Sequence, residues 1–293
     1  MPTTLVTGGT AGIGRAVAEE LTRRGHHVLT VGRSAGASIP ADLALLHDTD
    51  RAATEVLRRT DRLDAVVLCA GVFAMRAEWT AEGLERSLVL NYLSRFLLIR
   101  RLLPRLTEAT AGRIVLVANA GKYPDTLDLG DLQMRRGRGR GLRVSGRTQF
   151  ANDLLAVSLA DHLRDTPIQV SCVYPGPVAT GVFRNARGVP GPLRVLADRV
   201  QRVAGAEPAA AARTPVTLAD DPDATGGFYG PGVRRLPVPG RVADPDRRAA
   251  VWAASEQVLV DSGVSMRPWT SERRTRTGSG SWPLSNGTPA PGA

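Results

Sequence analysis

The chain has 293 residues, of which 43% are hydrophobic and 23% charged, and it carries a net charge of +10. This length supports one large domain with a sizeable core. Only two cysteines are present, Cys69 and Cys172, which excludes a disulfide framework and a cysteine-rich zinc module. No apolar run approaches the ~20 residues that cross a bilayer, and residues 1–10 lack the pattern of a signal peptide. We therefore expect a cytoplasmic protein without a membrane span.

The positive charge comes almost entirely from arginine, because Lys122 is the only lysine. Aromatic residues make up 4% of the chain and no helix-turn-helix or RNA-binding signature is present, so we expect no specific nucleic-acid partner. None of the four histidines stands near a cluster of acids, so we expect no metal site. Arginines concentrate in residues 135–147. Over residues 135–143 their alternation with glycine predicts a flexible, solvated loop, and closure over an anionic substrate is the alternative.

Apolar runs typical of strands alternate along the chain with helical patterns. The predicted strands cover residues 4–6, 27–31, 64–69, 113–117 and 168–173, and the predicted helices cover residues 13–24, 83–106 and 148–163. This alternation predicts βαβ units, and so a Rossmann-like, doubly wound parallel sheet of about seven strands with helices on both faces. Residues 174–240 are rich in glycine and proline and predict irregular structure. We expect a single domain over residues 1–265 and a disordered tail over residues 266–293.

The first predicted strand leads directly into a glycine-rich turn, and a helix follows. Glycines at positions 8, 12 and 14 let the backbone turn tightly, approach a pyrophosphate and pack the helix against the sheet. The helix N-terminus then offers amide donors to phosphate. In this context the glycines predict a dinucleotide site, and a glycine-rich turn without a ligand is the alternative. The expected contacts are Thr7, Gly8, Thr10, Gly12, Ile13, Gly14 and Arg15.

Further motifs continue this pattern. Cys69-Ala70-Gly71 follows the strand over residues 64–69, Asn91 lies in the helix over residues 83–106, and a Pro-Gly segment begins at Pro175. Together with the loop, these motifs resemble the short-chain dehydrogenase/reductase family over residues 3–262. Residues 128–133, 149–152 and 252–256 are similar to its retinol-dehydrogenase-like branch.

The resemblance implies specific roles for several of these positions. Asp42 and Leu43 would contact adenine, and an apolar lid near residues 181–240 would cover a small lipophilic substrate. If the chain pairs with a second copy, we expect the helices near residues 84–106 and 148–163 to form the interface. The implied contacts at the nicotinamide end are Ala70, Gly71, Pro175, Gly176, Val178 and Thr180.

Charge at the end of the second strand bears on cofactor choice. In this fold an acidic residue there binds the ribose diol of NAD, whereas an arginine accommodates a 2′-phosphate. Here Arg33 occupies the position without a neighbouring acid, and Arg15 follows the last glycine of the loop. Two guanidinium groups favour NADP(H). The alternative is that Arg33 is an ordinary solvated surface residue.

The family's catalytic residues are mostly replaced in this chain. The resemblance places Asn119 at the usual serine, Ser145 at the usual tyrosine and Gln149 at the usual lysine, while Asn91 is retained. A serine hydroxyl is far less acidic than a phenol, and glutamine carries no charge that lowers a neighbour's pKa. Asn119 still offers an amide donor for a substrate oxygen. Tyr123, beside Lys122, is a candidate relocated acid, with packing in the loop as the alternative.

Three functional classes follow from these replacements. The first is an NADPH-dependent reductase of a small lipophilic, secondary-metabolite-like substrate whose acceptor needs no tyrosine acid, such as an iminium, a quinone methide or a conjugated alkene. The second is a non-redox cyclase or isomerase that uses the same pocket. The third is a catalytically silent nucleotide-binding protein. The retained cofactor loop places the reductase first.

Overall fold

The computed structural model describes residues 1–137, 139–178 and 205–265, together with Gly191 and Val195. The strands of this part of the chain are β1 Thr3–Thr7, β2 His27–Gly32, β3 Ile39–Pro40, β4 Ala65–Leu68, β5 Arg113–Val117, β6 Gln169–Val173, β7 Gly227–Tyr229 and β8 Arg235–Leu236. They form one sheet in the order β3-β2-β1-β4-β5-β6-β7-β8, in which only the β7–β8 pair is antiparallel. The doubly wound prediction is confirmed, with one strand more than expected and an antiparallel edge.

Helices cover both faces of this sheet. They are α1 Gly12–Arg23, α2 Leu46–Arg59, α3 Arg86–Leu88, α4 Ser94–Leu106, α5 Arg143–His162, α6 Pro208–Asp220 and α7 Pro245–Asp261. Apolar residues of α1 and α6 pack on one face, and those of α2, α4, α5 and α7 pack on the other. In the described ranges no helix combines the length and the apolarity needed to cross a bilayer.

Two predicted helices begin at other residues than expected. The helix predicted from residue 83 begins at Arg86, because the Glu85 carboxylate accepts from the amides of Ser87 and Leu88 and so caps the chain there. A π-helical turn, Val89–Leu93, joins α3 to α4. The helix predicted from residue 148 begins five residues earlier, at Arg143. Its buried Arg147 pairs with Glu85 at 2.5 Å, which links the starts of the two helices.

Residues 174–240 were expected to be irregular, and this expectation is wrong. The stretch contains α6, which starts at Pro208, and the strands β7 and β8. Proline at the first turn of a helix costs nothing, because the amide that it lacks would have no partner there. The sequence reasoning also missed α2 and α7. Within the predicted lid near residues 181–240, residues 181–204 other than Gly191 and Val195 lie outside the described residues, as does the tail over residues 266–293.

Helix α7 lies across α4 and α5. Trp252 of α7 packs edge-on against Phe96 of α4, with ring centroids 4.8 Å apart, and it stacks on His162 of α5 at 4.5 Å. Tyr92 and Ser255 share a hydrogen bond of 2.8 Å between their hydroxyl oxygens. Helix α7 thus covers part of α4 and α5, and pairing of two copies through the helices near 84–106 and 148–163 stays a prediction.

Candidate functional site

The candidate site lies where the carboxyl ends of the parallel strands meet. Thr7 at the end of β1 pairs in register with Val31 of β2 and Leu68 of β4. Its hydroxyl accepts a hydrogen bond from the Ala70 amide at 3.1 Å, which holds the chain beyond β4 against the glycine-rich turn. In open α/β sheets, ligands bind outside these carboxyl ends, at the point where the strand order reverses.

The glycine-rich turn has a backbone that other residues would strain. Gly8 and Gly12 have φ values of +68° and +52°, in the left-handed region that favours glycine. A Cβ on Gly14 would lie 2.3 Å from the Gly8 carbonyl oxygen, so the helix packs on the turn at this point. Helix α1 has no side-chain cap and no acid in its first turn. Its first amides are therefore available to an anion such as a pyrophosphate.

The adenosine side of the site carries two exposed arginines. Arg33 directly follows β2, whose Gly32 lies close to Thr10 of the turn, since a Cβ on Gly32 would be 3.6 Å from the Thr10 hydroxyl. Arg15 faces Glu19 at 3.7 Å, a solvent-exposed contact that leaves the guanidinium free to move.

The side chains of three further predicted cofactor contacts, Ile13, Asp42 and Leu43, contact other residues of the protein. Ile13 packs against the apolar core under α1, and Leu43 is buried. The Asp42 carboxylate accepts from the Ala44 amide at 3.0 Å and lies 3.4 Å from Arg86.

The segment 70–74 crosses the centre of the site, and side chains satisfy its backbone at every second residue. Ala70 donates to Thr7, and its carbonyl oxygen accepts from Arg95 at 2.8 Å. Val72 is bound on both groups by Asn91, whose Oδ1 accepts at 2.8 Å and whose Nδ2 donates at 3.0 Å. Ala74 is bound on both groups by Ser145, which accepts at 2.7 Å and donates at 2.9 Å. These contacts replace a neighbouring strand.

Asn91 and Ser145 are therefore committed to the backbone. Ser145 is 2% exposed, and its hydroxyl proton is used by Ala74, so it has none to offer a substrate. Asn91 is fully buried, and its own carbonyl oxygen accepts from Asn152 at 2.9 Å. Gly71, between Ala70 and Val72, is exposed.

Gln149 carries a buried side-chain oxygen, Oε1, without a hydrogen-bond partner among the described residues. A buried acceptor without a donor costs about 1–3 kcal/mol, so such a group in a folded protein indicates an absent partner. A ribose hydroxyl would donate to it. Together with the glycine turn and the uncapped helix α1, Gln149 shows that the residues present fit a dinucleotide.

Pro175 and Gly176 follow β6 and lie at the same edge of the sheet. Gly176 has a φ of +84°, and Val178 is buried and pairs with Ala206. Thr180, which completes the predicted contacts at the nicotinamide end, lies outside the described residues.

Asn119 and Tyr123 lie on a tight turn after β5. Ala120 and Gly121 have φ values of +34° and +81°, and the Lys122 amide donates to the Asn119 carbonyl at 3.1 Å. The ring of Tyr123 packs on α5, because a Cβ on Gly146 would lie 2.8 Å from Tyr123 Cδ1. Burial raises the pKa of Tyr123, and neighbouring Tyr174 raises it further. The turn thus places a phenol ring beside the residue that follows Ser145.

Sequence reasoning missed a buried carboxyl group behind this turn. Asp153 of α5 is 1% exposed and accepts from the Gly121 amide at 2.9 Å, while the Cys172 thiol lies 3.6 Å from its other oxygen. Burial raises its pKa to about 7, although these contacts and the charge of Arg241 oppose the shift. An aspartate inside the apolar stretch of the predicted helix was the available signal. Asp153 holds the turn that presents Asn119.

Arg95 is a second buried charge that sequence reasoning missed. Its guanidinium donates to the Ala70 carbonyl and to Asn152 Oδ1 at 3.2 Å, and burial lowers its pKa to about 10. Its hydrogen bond to Ala70 fixes the backbone next to Gly71. Across the described residues, histidine, cysteine and carboxylate side chains form no group of three that could bind a metal ion.

Comparisons with known proteins agree on one family. A family model described as short chain dehydrogenase matches residues 2–126. The chain is 31% identical over 277 residues to human dehydrogenase/reductase SDR family member 13, covering 87% of this chain and 72% of that protein. It is 32% identical over 281 residues to a proposed daunorubicin C-13 ketoreductase of Streptomyces sp. (strain C5), covering 89% and 93%. Mouse retinol dehydrogenase 14 is 30% identical over 252 residues, covering 76% and 75%.

Solved structures share the fold. An uncharacterised protein from Mycobacterium paratuberculosis superposes with a TM-score of 0.67 at 26% identity, covering 89% of this chain and 94% of that chain. The 3-alpha-hydroxysteroid dehydrogenase of Pseudomonas sp. B-0831, complexed with NADH, gives 0.64 at 23% identity over 78% and 94%. A short chain dehydrogenase of Shigella flexneri, complexed with NADP, gives 0.58 at 22% over 78% and 95%. Proteins of this fold therefore bind either dinucleotide.

The Gly14→Ala variant should lose affinity for NADPH by at least about tenfold, which corresponds to 1.4 kcal/mol. Its Cβ would meet the Gly8 carbonyl oxygen at 2.3 Å, and the turn must shift away from the phosphate position. Gly36→Ala is the matched control, because a Cβ there meets only the Ser34 hydroxyl at 3.7 Å. Fluorescence titration measures affinity, and urea unfolding checks that both variants fold. Equal affinity in the two variants would contradict the assignment of the turn.

Asp153 should make the protein less stable as pH rises from about 4 to about 7. Its ordinary pKa of 3.8 is raised to about 7 in the folded state, so the neutral form stabilises the fold at low pH and this contribution is lost through neutrality. The change should be on the order of 2 kcal/mol and absent from Asp153→Asn. Urea unfolding at pH 5 and pH 8 measures it, with the fully exposed Asp61→Asn as control. A stability difference between wild type and Asp153→Asn that is the same at both pH values would refute it.

Proposed function

The chain belongs to the short-chain dehydrogenase/reductase family. On that premise we propose that it is an NADP(H)-dependent reductase of a small lipophilic molecule. The group that accepts the hydride is one whose reduction needs no proton from a tyrosine. One observation carries the proposal. The dinucleotide features are intact, while the hydroxyl of Ser145 is consumed by the backbone of Ala74. A catalytically silent remnant would not need a turn whose backbone only glycine adopts without strain, and an ordinary carbonyl reductase would need a proton donor at position 145.

Each part of the cofactor has residues suited to hold it. The amides at the start of α1 would bind the pyrophosphate, and Arg15 and Arg33 would bind the 2′-phosphate. Gln149 would accept from a ribose hydroxyl through its unpartnered Oε1. When bound, NADPH supplies a hydride. The same residues make NADP(H) the favoured dinucleotide, because no acid follows Gly32.

Protein groups around the acceptor define which acceptors are suitable. Asn119 follows β5 on a turn held by Asp153, and its amide would donate to a substrate oxygen. General acid catalysis contributes 10²–10⁴-fold to rate, so the reduction of a ketone would be slow without an acid. The reduction of an iminium, a quinone methide or a conjugated alkene is slowed less. Hydride addition neutralises the positive charge of the iminium, and the negative charge that forms on the other two acceptors is delocalised.

A lipophilic substrate agrees with the relatives and with the chain itself. The relatives include proteins described as retinol dehydrogenases and a proposed daunorubicin C-13 ketoreductase, whose named substrates are apolar or polycyclic. Residues 181–205 contain Phe183, Val189 and Leu193, which suit an apolar lid. We place the substrate within secondary metabolism on this basis.

Reduction of a carbonyl by a relocated acid is the second candidate, and the position of Tyr123 favours it. The Tyr123 ring packs against Gly146, one residue beyond Ser145, and burial raises its pKa, which keeps the phenol protonated. A protonated phenol near Tyr174, which immediately precedes Pro175, is suitably placed to donate toward the nicotinamide end.

Arg33→Asp should weaken NADPH binding by about tenfold or more and leave NADH binding unchanged, because the variant loses one of two charges for the 2′-phosphate. Arg164→Asp makes the same change of charge before β6, at the opposite edge of the sheet, and should alter neither affinity. Calorimetric titration of both dinucleotides measures the effect. Wild-type protein that binds NADH as tightly as NADPH would disprove the cofactor preference.

The two reductase candidates differ in the variants Asn119→Ala and Tyr123→Phe. Under the proposal, NADPH oxidation occurs with conjugated or iminium acceptors, Asn119→Ala lowers turnover by about tenfold or more, and Tyr123→Phe retains it. Under the second candidate, ketones are reduced and Tyr123→Phe loses 10²–10⁴-fold. NADPH absorbance and product are followed together, with Tyr229→Phe as the matched control. Product without NADPH loss would reject both candidates in favour of a cyclase or isomerase.

A further inference from the structure

The arginine- and glycine-rich stretch makes backbone hydrogen bonds on both sides of position 138, which lies outside the described residues. Its residues 139–141 pair with residues 75–77, through hydrogen bonds of 2.8 Å from the Ala77 amide to Gly139 and from the Gly141 amide to Met75. The amides of Arg135 and Arg136 donate to the carboxylate of Asp131. This pairing extends the segment 70–74 outward from the candidate site.

Arg76 and Arg140 lie directly opposite each other in this pairing. The hydrogen bonds flank them, so they form the non-hydrogen-bonded kind of antiparallel pair, in which the Cα atoms lie about 4.5 Å apart and the side chains share a face. Both are exposed, and neither has a carboxylate partner in the part of the chain that the structure describes. Like charges placed directly opposite destabilise a pair. An anion between them would relieve this repulsion.

More arginines and two exposed apolar side chains lie on the paired segments or next to them in the chain, as does the half-buried Glu78, two residues from Arg76. Trp79 is 44% exposed, donates to the Gln133 carbonyl and lies 5.8 Å from the Arg135 guanidinium, and Leu142 is 59% exposed. None of the arginines 76, 135, 136, 140 and 143 forms an ion pair with a carboxylate among the described residues. We call this set of residues the basic arm, which consists of Arg76, Trp79, Arg135, Arg136, Arg140, Leu142 and Arg143.

We propose that the basic arm docks on the surface of an anionic lipid bilayer. Arginine is attracted to the anionic headgroups of such a surface, and tryptophan prefers the boundary between headgroups and acyl chains. Nucleic acid would also satisfy the arginines, but the arm carries a single aromatic side chain, Trp79, whereas proteins that bind single strands stack successive bases on several. Exposed Trp79 and Leu142 instead suit partial insertion into lipid. The docking would bring the candidate site next to the phase in which apolar molecules dissolve.

Co-sedimentation with vesicles tests the docking with the full-length protein. At low salt, wild-type protein should bind vesicles that contain phosphatidylglycerol but not vesicles of phosphatidylcholine alone. At about 0.3 M salt it should bind neither kind of vesicle, because salt screens the charges. Arg76→Glu combined with Arg140→Glu should reduce the binding constant by at least about tenfold. Leu142→Ser should also weaken it, because lipid insertion is lost while the charge is kept.

The matched control is Arg58→Glu combined with Arg164→Glu, which makes the same change of net charge at two exposed arginines outside the basic arm. It should bind the anionic vesicles at least several times more tightly than the Arg76/Arg140 variant. An equal loss of vesicle affinity in both double variants would mean that only net charge matters, and it would overturn the assignment of the basic arm. Wild-type binding to duplex DNA but not to anionic vesicles, or an unchanged affinity of Leu142→Ser, would overturn the lipid assignment.

Discussion

Side chains, in place of a neighbouring strand, bind the backbone of the segment 70–74, and the rest of the site depends on this arrangement. Ala70, Val72 and Ala74 each have both backbone groups paired, by Thr7 with Arg95, by Asn91 and by Ser145 respectively. Each such hydrogen bond contributes about 1 kcal/mol, and leaving a buried group unpaired costs more. Polar side chains of β1, the π-helical turn, α4 and α5 therefore converge on one stretch of chain.

This arrangement also accounts for the hydrogen bonds of two residues that the sequence predicts at catalytic positions. Asn91 and Ser145 are buried, and the side chain of each hydrogen-bonds the backbone of the segment 70–74. What remains open to chemistry is the turn after β5, with Asn119 and the ring of Tyr123. Asp153, buried behind that turn, bonds to it without a matched countercharge. Most polar side chains described here thus hold the backbone of the site in place, and Asn119 and Tyr123 are the candidates for chemistry.

The anchored segment also connects the site with the surface. Beyond Ala74 the chain continues into the pairing of residues 75–77 with 139–141, which presents Arg76 and Arg140 side by side. Helix α5, which carries Ser145, begins at Arg143, two residues after the paired residues 139–141. The surface pairing and the buried hydrogen bonds of Ser145 to Ala74 therefore lie on the same two stretches of chain.

The sequence alone determined the dinucleotide turn, because the conformations of Gly8 and Gly12 are local requirements that only glycine meets without strain. Strand and helix alternation likewise determined the doubly wound sheet. Tertiary structure decided the rest. The partners of Ser145 and Asp153 lie 71 and 32 residues away in sequence, and α7 covers α4 and α5 from the far end of the chain. Periodicity reports which face of an element is buried, but the identity of the group opposite depends on how distant elements pack.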